Sequence, residues 1–282
     1  MYKTSNDNAI TIKTDSLVSE YFEDGYWNVL LNESFNGVIT SDFGFNGNTD
    51  VTEVKLNNRV NVIGERAFYG CSKLRIIDAP SVTLVQASAF NYKLSECNMP
   101  NLKEIEDYGI GEISTIDFPL LETIGSNVFS GFGGTTVNLP SLKEIGISAF
   151  SGSSLKTINL PVVETIESRA FSACSNLSSV DLPSIKRIGD NAFANIANNA
   201  VMRLGENLER VYLTCFGQGT REVYCYGKNS PDLWSSVPPT EAWRQKTYLT
   251  LHVYPDATGY NKWTTAWGTS YASHLSILYD LQ

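Results

Sequence analysis

Few side chains in this chain are suited to nucleophilic or soft-metal chemistry: Cys71, Cys97, Cys174, Cys215, Cys225, His252 and His274. An activated thiol or hydroxyl needs a histidine base beside it. A structural zinc site needs closely paired ligands such as CxxC. No CxxC occurs, and both histidines fall in the last part of the chain. An odd number of cysteines leaves at least one outside any disulfide framework. No glycine-rich phosphate loop, HExxH or Walker pattern is present. The sequence therefore predicts no catalytic, metal or cofactor site, and His252, set in a strand-like run, reads as a packed or surface residue.

A second set of residues offers oxygen and amide groups at a fixed interval. Asp78, Asn98, Asp117, Asn138, Asn159 and Asp181 recur about every 21 residues, each just before an apolar residue. Hydroxyls such as Thr157 and Ser179 stand two positions earlier in the last two copies. Stacked in one column, these groups would form an acceptor-rich face for a glycan, a peptide or Ca²⁺, which favours oxygen ligands. They could instead hydrogen-bond one another along the stack. Asparagine alternating with aspartate keeps like charges apart, which suits the second role and weakens a cation site.

Aromatic residues gather near the C-terminus: Trp234, Trp243, Trp263, Trp267, Tyr254, Tyr260 and Tyr271. Buried, they would seal the end of the fold; exposed, they would anchor a partner. Trp263 and Trp267 lie four apart and would share a helix face, which suits sealing. Trp234, in a run rich in Pro and Ser, is the candidate exposed anchor.

An internal repeat must position all of these residues. Leu139 to Phe150, Leu160 to Phe171 and Leu182 to Phe193 are three consecutive copies, each opening on Leu-Pro and closing on Ala-Phe. Earlier copies run from Pro80 to Phe90, Pro100 to Ile110 and Pro119 to Phe129, and degenerate ones end at Phe68 and Phe216. Leu155-Lys156-Thr157-Ile158-Asn159-Leu160 has the L-x-x-L-x-L spacing of a strand lining one face of a coil. Pro161 ends it, because proline has no N–H for the ladder. Val163 and Ile166 turn inward, and Ala170-Phe171 closes the far side. The rings of Phe68, Phe90, Phe129, Phe150, Phe171, Phe193 and Phe216 are expected to form an interior spine, each contributing roughly 1.5–3 kcal/mol by burial. In one copy Gly109-Ile110 replaces Ala-Phe, so that coil should be short and distorted. The cysteines fall in slots the repeat keeps buried; Cys71 and Cys174 share one, three after the phenylalanine.

The period is absent from residues 1–50, read as an N-terminal β cap with strands at Ala9 to Thr14 and Tyr26 to Leu31 and a turn at Phe43 to Gly47. It is present over 51–226 and lost over 227–282, read as a C-terminal cap that begins with a loop. Such ends are needed because an open coil exposes core and strand edge. The predicted fold is a repeat solenoid: a right-handed, mostly β, α/β superhelix of short parallel strands.

The Leu-Pro strand end, the Ile188-Gly189 turn and the Ala192-Phe193 pair resemble the BspA-like leucine-rich repeat family. Tyr2 to Asp7 resembles that family's opening, and Tyr224-Cys225-Tyr226 and Leu251 to Trp267 its closing segments. Members occur on bacterial and protist surfaces, are implicated in adhesion, and are also found in bacteriophage-associated proteins. The resemblance specifies the fold more than the function; the extended repeat surface, with no catalytic constellation, leads to the expectation of a non-catalytic scaffold that binds a protein or glycan through its strand face or C-terminal cap.

Charge narrows the partners. A net charge of −9 and a pI near 4.8 oppose binding to nucleic acid or anionic lipid. No apolar run reaches the roughly 20 residues of a membrane helix. The polar stretch from Met1 to Asn8 is not an export signal. If such a signal has been removed, a bacterial surface or extracellular location follows. Otherwise the expectation is a virion or other assembly component, or a cytoplasmic protein. A hydrolase is the third class considered.

Overall fold

The computed structural model describes residues 1–135, 137–217, 219–234, 247–267 and 275–282, without the side chains of Leu213, Gly219, Thr220, Trp234, Thr247 and Trp267. The chain forms two compact units, Met1–Phe129 and Ser130–Gln282. Both are parallel β-solenoids. Among the described residues the one α-helix is Asn261–Trp267.

In the first unit the coils build two parallel sheets. One sheet runs Val51–Lys55, Ile76–Asp78, Glu96–Asn98, all parallel. The other stacks the two-residue strands Val38–Ile39, Val62–Ile63, Leu84–Val85, Glu104–Ile105 and Thr123–Ile124. Its inward column, Ile39, Ile63, Val85, Ile105 and Ile124, is buried throughout. Strand side chains alternate between faces, so the residue before each of these points away from the core.

The N-terminal end departs from the sequence reading. Ala9 to Thr14 forms no strand; Ile10 and Ile12 are buried, and Lys13 N–H donates to the Phe43 carbonyl at 2.8 Å. Tyr26–Leu31 is a strand as expected, and it joins Tyr2–Thr4 and Leu17–Glu23, two strands the sequence reading did not give, in antiparallel pairing. Asp24-Gly25, both with positive φ, makes the two-residue hairpin turn. Gly44 has no room for a side chain: a Cβ would lie 2.2 Å from the Thr11 carbonyl oxygen. Phe43 and Phe45, read only as part of a turn, stack on each other at 5.7 Å, and Phe45 meets Phe68 at 5.0 Å.

In the second unit the exposed-face sheet runs Thr157–Asn159, Ser179–Leu182, Ala200–Leu204, Gly219–Cys225, Thr247–Val253 and Leu275–Tyr279, all parallel. The inner column Ile158, Val180, Met202, Val223 and Leu251 is buried. The second sheet stacks Glu144–Ile145, Thr165–Ile166, Arg187–Ile188, Arg210–Tyr212 and Asp232–Trp234. Parallel pairing thus continues beyond Tyr226, where the sequence period is lost. Backbone pairing needs no particular side chain, so a degenerate sequence can continue the ladder.

The spine has a common geometry at the coil corner. The residue before each Ala-Phe pair, or before the Gly109-Ile110 and Val128-Phe129 that replace it, takes a left-handed conformation: Arg66, Ser88, Tyr108 and Asn127 in the first unit, Ser148, Arg169 and Asn191 in the second, with φ between 54° and 59°. The following phenylalanine N–H donates to the next coil, as from Phe171 to the Ala192 carbonyl at 2.8 Å. The rings are buried. Phe68 and Phe90 stack at 5.1 Å, Phe150 and Phe171 at 5.2 Å, Phe171 and Phe193 at 5.4 Å. Phe129 lies 6.4 Å from Phe118, and Phe216 lies 5.9 Å from Trp263.

Candidate functional site

The polar column on the strand face divides between the units. In the first, Lys55, Asp78 and Asn98 are register neighbours, and Asn98 Nδ2 donates to Asp78 Oδ1 at 2.7 Å. Asp117, in Ile116–Asp117, is exposed. The column's N-terminal end is cationic. The ammonium groups of Lys3 and Lys55 lie 4.0 and 4.4 Å from the Tyr26 ring centroid, and both pair with Glu53, which also accepts from the Tyr26 hydroxyl at 2.5 Å.

In the second unit Asn138, in Val137–Asn138, is exposed. Asn159 then neighbours Asp181, and Thr157 neighbours Ser179 two positions earlier. The Asn159–Asp181 column does not stop there. It continues through Arg203, Tyr224 and His252, none of which was assigned to this face from sequence. Their signal was available: Arg203 precedes Leu204 and Tyr224 precedes Cys225, in the slot that Asp181 holds before Leu182.

This end of the column is a stack of flat groups. The Arg203 guanidinium lies 5.7 Å from the Tyr224 centroid, and the Tyr224 and His252 rings lie 4.2 Å apart, 5° from parallel. A guanidinium over an aromatic face gains from the ring's negative quadrupole. His252 Nδ1 meets the Asp280 carboxylate at 2.9 Å. Beside the stack, Tyr226 and Tyr254 meet edge to face at 6.4 Å, and Lys228 pairs with Asp256 at 2.8 Å.

The His252–Asp280 pair has the form of a general base with its orienting carboxylate, which the sequence offered no way to see. Nε2 of His252 is buried and has no hydrogen-bond partner among the described residues. Among the described residues, no hydroxyl or thiol hydrogen-bonds to Nε2, where one would have to be activated. Among the described residues, no three His, Cys, Asp or Glu side chains gather to hold a metal ion.

The cysteines are unpaired, and all but the partly exposed Cys97 are buried. Cys71 and Cys174, in equivalent slots, donate to the carbonyls of Phe45 and Phe150 at 3.0 and 3.1 Å. Burial pushes the thiols of Cys71 and Cys225 up to about 12, so they are poor nucleophiles. Arg221 is the polar residue least expected inside. It occupies the inward column between Ala200 and Leu249 and is fully buried, and burial lowers its pKa to about 10.

Trp234 lies not in a loop but in Asp232–Trp234, its backbone opposite Tyr212; its side chain is outside the described atoms, as are Thr136, Trp243, Tyr271 and His274. Trp263 is buried and donates through Nε1 to Ser230 Oγ at 3.1 Å.

Stacked short parallel strands, an aromatic spine and an open polar face define a leucine-rich-repeat solenoid. The chain belongs to the BspA type leucine rich repeat family, whose model matches residues 36–131 and 108–221. A leucine-rich repeat protein from Bacteroides ovatus has a similar fold: 21% identity, a TM-score of 0.51, and coverage of 94% of this chain and 88% of that one. A leucine rich cell surface protein from Faecalibacterium prausnitzii matches at 15% identity and a TM-score of 0.46, over 100% of this chain and 95% of that one. No curated protein matches the sequence. No helix among the described residues is long and apolar enough to cross a membrane.

Proposed function

We propose that this protein is a non-catalytic recognition scaffold of the bacterial surface, binding a protein or glycan partner through the strand face of its second unit. The supporting observation is the Asn159–Asp181–Arg203–Tyr224–His252 column. It joins amide, carboxylate, guanidinium and aromatic groups on one regular sheet, with Asn159 and Arg203 exposed. Arginine and tyrosine are enriched among residues that dominate binding energy. Holding them on strands keeps their positions fixed before the partner arrives, which lowers the entropic cost of association. Family membership supports the surface setting.

Binding of the intact chain to immobilised host matrix proteins and to a glycan array tests the proposal. Arg203→Glu and Tyr224→Ala should each abolish the strongest signal while leaving the far-ultraviolet spectrum unchanged. A folded protein silent on both surfaces, or one whose binding survives both substitutions, would overturn it.

A further inference from the structure

In the first unit, the one coil that lacks its spine phenylalanine carries a cleft. We infer that this cleft is a binding subsite for one neutral pyranose ring of a glycan, held against Tyr69 and Tyr108. The site is separate from the strand face assigned above.

The cleft follows from the repeat. Ile110 occupies the slot held by Phe68 and Phe90 in the two preceding coils, so the ring stack ends at Phe90 and the coil is shorter by a residue or two. Buried Phe90 and Ile110 form the floor, and the walls are Tyr69 and Tyr108, 45% and 57% exposed. The volume is about 290 Å³, at the lower edge of the roughly 300–1,000 Å³ of small-molecule sites. That suits a single sugar ring rather than a peptide segment.

Three observations select a neutral sugar. The lining includes no charged side chain, which disfavours phosphate, carboxylate or ammonium ligands. Two half-exposed tyrosine rings line the cleft, and an aromatic face, with negative charge at its centre, attracts the weakly positive C–H face of a pyranose. Polar groups stand beside them. Asn91 Oδ1 accepts from the Gly70 N–H at 2.8 Å, which fixes the side chain and leaves its Nδ2 protons for a ligand hydroxyl, and the Ser88 hydroxyl also lines the cleft.

The left-handed backbone of Tyr108, φ +55°, belongs to the coil corner and is shared by Arg66, Ser88, Asn127, Ser148, Arg169 and Asn191. What distinguishes this corner is its side chain: the other six carry Arg, Ser or Asn, whereas here an aromatic ring, more than half exposed, stands at the mouth of a cleft.

The probes are cellotetraose, chitotetraose and β-1,4-galactotetraose, with sialyllactose as a charged comparison, studied by saturation-transfer NMR and calorimetry on the intact chain. At least one neutral probe should bind with saturation transferred to its ring C–H protons. Tyr108→Asn, which places the residue of positions 127 and 191 at this slot, and Tyr69→Ala should weaken binding at least tenfold. Tyr21→Ala, at an exposed tyrosine of Leu17–Glu23 that does not line the cleft, and Arg203→Glu, in the strand face of the other unit, should leave it unchanged. Loss in either cleft variant, with both controls silent, supports the assignment. Failure of every neutral probe, binding of sialyllactose alone, retention in both cleft variants, or equal loss in either control overturns it.

Discussion

The second unit holds three consecutive coils whose rings, Phe150, Phe171 and Phe193, lie within 2° of parallel at 5.2 and 5.4 Å. The first unit keeps that arrangement between Phe68 and Phe90, tilted by 7°, and then places Ile110 in the ring's slot. In the second unit, regular coils present a continuous polar column at their surface. In the first, a single interruption of the period makes a concave feature. A repeat protein's regular coils are thus its framework, and its departures from the repeat are where distinctive surfaces arise.

The contrast can be broken most sharply at the middle of the intact stack. Phe171→Ala removes a ring sandwiched between two others and should cost about 3–5 kcal/mol in urea denaturation; a cost below about 1 kcal/mol would show that the stack is incidental. Ile110→Phe tests the other side. If the short coil is fully packed as it stands, the added ring should cost about 1–3 kcal/mol. If it is tolerated at no cost, the coil is merely underfilled.

The thiol slot shared by the two units gives a smaller effect. Cys174→Ala leaves the Ser153 hydroxyl, 2% exposed and 3.1 Å from the thiol, short of a partner. That should cost about 1–2 kcal/mol. Cys71→Ala should cost less, because among the described residues that thiol meets the Phe45 carbonyl and no buried hydroxyl.

Smallest are two exposed ion pairs, one per unit. Lys73, with Ser5, holds the Asp50 carboxyl below its ordinary value of 3.8, and Lys228 does the same to Asp256. A lowered folded-state pKa adds stability above the ordinary value, and that stability is lost as pH falls through the folded value. Carboxyl-carbon NMR titrations should therefore place both midpoints below 3.8. Lys73→Met should raise that of Asp50 and leave Asp256 unmoved.

Much of this architecture was legible in the residues themselves. Leu-Pro, Ile-Gly and Ala-Phe recur because each coil must end a strand, turn and fill a corner in the same way, and identical local demands leave identical residues. The same logic assigned Asp78, Asn98, Asn159 and Asp181 to one side of their strands, since side-chain direction in a strand alternates residue by residue. It did not extend to Arg203, Tyr224 and His252, because residue type changes there while the slot does not.

Other features depended on the tertiary structure alone. Asp280 meets His252, and Tyr69 shares a cleft with Tyr108, through stacking of different coils. Neither pairing has a sequence spacing that marks it out. Arg221 stands in the core because its neighbours in register are inward-facing, although its own side chain is charged. A local pattern fixes which way a residue points, but the residues it meets depend on the rise and register of the neighbouring coils, and those are set by the packing of the whole stack.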